Sequence, residues 1–78
     1  MYVTGDDFSI VQFLTNISLV KLEQRLKGYR ILIIDEAQKI KEIGNTIKLI
    51  VDNIPDIQVI ATGSSAFDLA NNIQESLT

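Results

Sequence analysis

The sequence predicts an α/β fold, a small three-layer arrangement in which about three parallel strands carry flanking helices. Three observations lead there. The stretch Arg30 to Asp35 contains Ile31-Leu32-Ile33-Ile34, apolar without alternation and rich in β-branched side chains, as in a strand covered on both sheet faces. Ile57 to Thr62 has the same character. Between them, Ile43, Ile47, Ile50, Val51 and Ile54 recur at helical spacing, with Lys48 and Asp52 on the other side. Strand, helix and strand of these lengths form one βαβ unit, which is parallel and right-handed in nearly all cases.

The remaining elements follow in chain order. Tyr2-Val3-Thr4 is a short β-prone stretch ending in Gly5-Asp6-Asp7, residue types that turn a chain and cap a helix, and the two acids are read so rather than as a metal site. Phe8, Val11 and Leu14 fall on one helical face with Ile10 beside them, until Thr15-Asn16 interrupts the pattern. Ser18 is the expected N-cap of a second helix with Leu19, Leu22 and Leu26 in one stripe, and Gly28 stands where a left-handed C-terminal cap belongs. The third helix, Ile43 to Ile54, stops at Pro55-Asp56 because the residue before proline avoids the helical region. Beyond the last strand, Gly63 is read as a conformation closed to other residues. Ser65 and Asp68 then have the spacing of a capping box on a helix with Ala66, Phe67, Leu69, Ala70 and Ile73 as its apolar face.

Composition excludes much chemistry. Histidine, cysteine and tryptophan are absent, so Ser–His and Cys–His catalysis, thiolate zinc sites and disulfides are ruled out. Carboxylates, hydroxyls, lysines, backbone groups or a bound ion must carry any reaction. A net charge of −3 argues against a nucleic-acid grip, and Lys21, Arg25, Lys27 and Arg30 are read as a solvated helix face. No apolar run reaches the ~18 residues of a membrane span and no signal-peptide pattern opens the chain, so no membrane partner is expected and the expected location is cytoplasmic. The 46% apolar content is that of a chain that packs. At 78 residues, however, only about 60 to 65% of the unfolded surface can be buried, which makes an independent fold marginal.

In an open parallel sheet, ligands bind beyond the carboxyl ends of the strands. Two polar groups are expected there: Asp35-Glu36 after one strand and Thr62-Gly63-Ser64-Ser65 after its neighbour. The βαβ connection should bring the Thr62 or Ser64 hydroxyl within a few ångströms of the acids. The run Ile31-Leu32-Ile33-Ile34-Asp35-Glu36 resembles the Walker B motif of a P-loop ATPase. There the first acid holds magnesium through water and the second orients or deprotonates the attacking water. No G-x-x-x-x-G-K-[ST] phosphate loop, and no Gly-Lys pair at all, occurs in the sequence.

Ile31 to Ile40, followed one helix later by Val59-Ile60-Ala61-Thr62-Gly63-Ser64-Ser65 and a segment ending Glu75-Ser76-Leu77-Thr78, is similar to the AAA+-related prokaryotic ATPases of the AAA_14 type. Tyr2-Val3-Thr4-Gly5-Asp6-Asp7 is similar to that family's second strand and acidic turn. The resemblance covers essentially the whole chain. It implies that residues 1–78 are a single partial domain, with these strands as the second, third and fourth of a P-loop core and the phosphate-loop strand before Met1. It further implies ATP and Mg²⁺ as cofactors of the longer parent, with neither bound tightly by this chain alone. Asp35 would be the magnesium–water ligand, Glu36 the catalytic base that also contacts nucleotide, and Thr62 or Ser64 the polar sensor, with Gln38 close to their water network. The parent is then an ATPase, and hydrolysis by the 78-residue chain alone is not expected.

Two other classes compete. A truncated phospho-acceptor receiver domain also places a strand-end Asp opposite a Thr one βαβ unit later. Against it stand the short opening strand, the absence of a lysine after a further strand, and the adjacent Glu36. The third reading is a non-catalytic interaction module. Without a phosphate-loop strand beside it, Ile57 to Thr62 becomes a flat apolar sheet edge, and self-association through that edge is expected.

Overall fold

The computed structural model describes residues 1–15, 17–64 and 73. Its elements are β1 (Tyr2–Thr4), α1 (Phe8–Leu14), α2 (Leu19–Leu26), β2 (Ile31–Asp35), a single 3₁₀ turn (Ala37–Lys39), α3 (Ile43–Asn53) and β3 (Gln58–Ala61). The strands form one parallel sheet in the order β1-β2-β3. This is the α/β arrangement of parallel strands and flanking helices expected from the sequence. The capping box and most of the helix expected after Ser65 lie outside the described residues, although Ile73 packs at the margin of the core.

Each crossover begins and ends for local reasons. The Asp7 carboxylate accepts the Ser9 amide at 2.9 Å and caps α1, and the Ser18 hydroxyl accepts the Lys21 amide and caps α2. After α2 the chain reverses at Gly28, whose φ of 87° is open to glycine at no steric cost. Helix α3 ends just before Pro55, as the sequence predicts. Strands β2 and β3 are assigned slightly shorter than expected. Yet Gln58 N donates to Arg30 O at 2.8 Å and Thr62 N to Ile34 O at 2.9 Å, so the ladder runs one residue beyond each assigned end.

The core is one cluster of Leu14, Leu22, Leu26, Leu32, Ile34, Ala37, Ile40, Ile43 and Ile50 between the sheet and the three helices. Burying each of its larger side chains contributes roughly 1.5–3 kcal/mol. Thr46 is the single polar residue buried with them among the described residues, and its Oγ1 donates to Leu14 O at 3.0 Å, which ties α3 to the end of α1.

Three sequence expectations are corrected. Phe8 was expected on the buried face of α1 but is 73% exposed. The helix instead turns Ile10, Val11, Phe13 and Leu14 inward, an arc that leaves position 8 on the far side at 100° per residue. Val51, expected on the apolar stripe of α3, is also exposed, because Ile43, Thr46 and Ile50 centre the buried stripe one residue earlier. Finally, β2 was expected to be covered on both faces, yet its burial alternates: Leu32 and Ile34 are sealed against the helices while Ile31 is exposed. Among the described residues, no helix covers the Ile31 face.

Candidate functional site

The site lies at the carboxyl ends of the three strands, where parallel register delivers all its members to one edge. Thr4 of β1 stands opposite Asp35 of β2, and Ile34 stands opposite Ala61 of β3, so Asp35 and Thr62 emerge together. The backbone is pinned on both sides. Gly5 N donates to Asp35 O at 2.8 Å, and Ala37 N donates to Thr62 O at 2.9 Å. Between these bonds Glu36 adopts a left-handed backbone with φ 50°, a conformation a non-glycine residue takes at a cost of about 1–2 kcal/mol. The bend turns the two successive carboxylates toward different partners.

Asp35 is held by three neutral donors. Its Oδ1 accepts the Thr62 hydroxyl at 2.9 Å and the Glu36 amide at 3.0 Å, and its Oδ2 accepts the Tyr2 hydroxyl at 2.7 Å. These bonds favour the charged form and hold the carboxyl below the ordinary aspartate pKa, the Tyr2 bond first and the Thr62 bond second. The same contact raises the Tyr2 phenol, since its ionisation would place a negative charge against Asp35.

Glu36 is held on the β3 side. Ser64 donates its amide to Oε1 at 3.2 Å and its hydroxyl to Oε2 at 3.1 Å, and Gln38 Nε2 donates to Oε2 at 2.8 Å. Its side chain is only 18% exposed. Lys39 approaches Oε2 at 3.7 Å while forming its closer ion pair with Asp6. Asp6 chiefly, and Glu36 further off, raise the lysine pKa. Gln38 Oε1 is buried without a partner among the described residues and lies against Gly63, where any Cβ would overlap it. The special backbone conformation expected of Gly63 is not found, since among the described glycines the left-handed backbone belongs to Gly28, and a Cβ at Gly63 would meet only the movable end of the Gln38 side chain.

A carboxylate has about four acceptor positions. Each acid here has three filled by protein donors and keeps one: Asp35 on Oδ2 and Glu36 on Oε1. The pair can thus engage two separate polar groups, one apiece. No cluster of three acidic metal-binding residues exists among the described residues.

Asp35, Glu36, Thr62 and Ser64, all expected from the sequence, are brought into one hydrogen-bonded group. Thr62 serves Asp35 and Ser64 serves Glu36. Sequence reasoning misses Tyr2, which the sequence marks only as a strand former, and Lys39 with Asp6. Parallel pairing of β1 with β2 could have pointed to Tyr2, two residues before the position opposite Asp35. Asp7, the other half of the acidic turn, is occupied with its cap, and the Ser9 hydroxyl and amide hold its pKa down.

Fold and site define a parallel α/β domain with paired acids beyond its central strand. The chain matches the AAA_14 family model, described as an AAA domain, over residues 1–78, and it belongs to that family. No curated protein and no solved structure matches it. Membership in an AAA-type, ATPase-related family displaces the receiver-like alternative.

Proposed function

We propose that this chain supplies the acidic half of an ATP-hydrolysing site, to be completed by a phosphate loop that its 78 residues do not contain. The supporting observation is the division of labour between the acids, each fixed by its own donors and each with one acceptor position to spare.

In this reading Glu36 is the catalytic base. Its open Oε1 position accepts a proton from a water, while Ser64 and Gln38 keep the carboxylate from turning away. Asp35 is the residue that would face a magnesium-bound water, and the ion, when present, would neutralise phosphate charge. Asp35 suits that role because no lysine or arginine pairs with it among the described residues, which leaves its charge unspent. Thr62 and Ser64 are the candidate polar sensors, since a hydroxyl bonded to each acid would feel any group that arrives beside it. Without the backbone amides and lysine of a phosphate loop, two carboxylates repel an ATP tetra-anion, so tight nucleotide binding by this chain alone is not expected.

The test is Glu36→Gln in a chain that also carries the phosphate loop. Turnover should fall about 10²- to 10⁴-fold with ATP affinity retained, as for loss of a general base. Loss of ATP binding together with turnover would make Glu36 a structural residue and defeat the proposal.

A further inference from the structure

We propose that Tyr2 is a positioning residue for Asp35, its hydroxyl selecting the one carboxylate acceptor position left for a metal-bound water. The role rests on the ATPase reading of the site, but the geometry stands on its own. Tyr2 lies two residues before Thr4, the register partner of Asp35, and residues i and i+2 share a sheet face. Its ring therefore runs along that face from the edge strand, and its hydroxyl reaches Oδ2 at 2.7 Å. Core packing does not explain the placement, because Tyr2 is 62% exposed.

Thr62 and the Glu36 amide both bond Oδ1 and leave Oδ2 with two acceptor positions. Tyr2 occupies one, and the carboxylate then faces an arriving group with a single defined position. All three donors are neutral, so they orient the carboxylate without cancelling its charge. A lysine or arginine in place of Tyr2 would orient it equally well but would oppose a cation.

Asp35 Hα–Hβ couplings, which report the χ1 rotamer, test the positioning directly in the unsubstituted chain and in Tyr2→Phe. Phenylalanine keeps the exposed ring and removes only the hydroxyl. One fixed rotamer in the unsubstituted chain, averaging in Tyr2→Phe, is the expected result. Couplings unchanged by the substitution, or averaged already without it, would overturn the proposal. In a chain carrying the phosphate loop, Tyr2→Phe should raise the Mg²⁺ concentration for half-maximal ATP binding about 10-fold, at the low end for loss of an outer-shell partner. An unchanged Mg²⁺ requirement would also overturn it. Absence of any Mg²⁺–ATP binding by the unsubstituted, phosphate-loop-bearing chain would instead refute the ATPase reading and leave the rotamer result to stand.

Discussion

Asp35 and Glu36 are adjacent in sequence yet gather different partners, and the cause is the backbone of Glu36. Its φ of 50° carries the chain out of β2 so that Asp35 meets β1 and β3 donors while Glu36 turns to Ser64 and Gln38. That conformation has a cost that can be isolated. Glu36→Gly and Glu36→Ala both delete the carboxylate, but only alanine keeps the Cβ that crowds a left-handed backbone, so urea unfolding should find the glycine variant more stable by about 1–2 kcal/mol. Equal stabilities would mean that the bend carries no strain. Gly63 makes the complementary prediction. In Gly63→Ala the new methyl occupies the place of Gln38 Oε1, so the Gln38 side chain must swing out and release Glu36. The Gln38 side-chain amide resonances should move while the core resonances stay in place, and an unmoved amide would contradict the packing argument.

At the scale of elements, α3 depends on one polar bond inside an otherwise apolar interface. Thr46→Val keeps the shape of the side chain but leaves Leu14 O without its partner, and should cost roughly 1–3 kcal/mol in denaturant unfolding. A cost below ~0.5 kcal/mol would mean that water replaces the hydroxyl. Helix α1 carries a pH dependence through its cap. The Ser9 bonds lower the Asp7 pKa, so the cap's contribution is complete above the ordinary carboxylate range and is lost as pH falls through the lowered folded value. The Ser9 amide shift should therefore titrate with a depressed midpoint, and a midpoint at the ordinary aspartate value would sink the capping argument. The strands, helices and caps were legible because local signals agreed with the fold: a β-branched run, a stripe of isoleucines, Ser18, Pro55. Phe8 and Val51 were misplaced because a short helix has several apolar arcs, and contact with the sheet chooses among them. The 3₁₀ turn at Ala37–Lys39 was not legible, since the Ala37 bond to Thr62 joins residues far apart in sequence. Tyr2 was missed for the same reason, as an exposed strand tyrosine acquires its role only once β1 and β2 are in register.

At the scale of the whole molecule, β3 pairs with β2 on one side, and among the described residues no strand takes its other edge. We expect that edge to self-associate or to accept a further parallel strand, and sedimentation should show an average mass that rises with concentration. A clean monomer with slowly exchanging Val59 and Ala61 amides would contradict this. The same edge lies beside Thr62 and Ser64, where an added strand could deliver a phosphate loop to the two acids. The most direct test compares amide spectra under Mg²⁺–ATP for this chain alone and for the chain joined to a phosphate-loop segment. Saturable shifts at Asp35, Glu36, Thr62 and Ser64 are predicted only in the joined form. Saturable shifts in the chain alone, or nucleotide binding by the joined form with those four amides unmoved, would contradict the claim that these residues are half of an ATPase site.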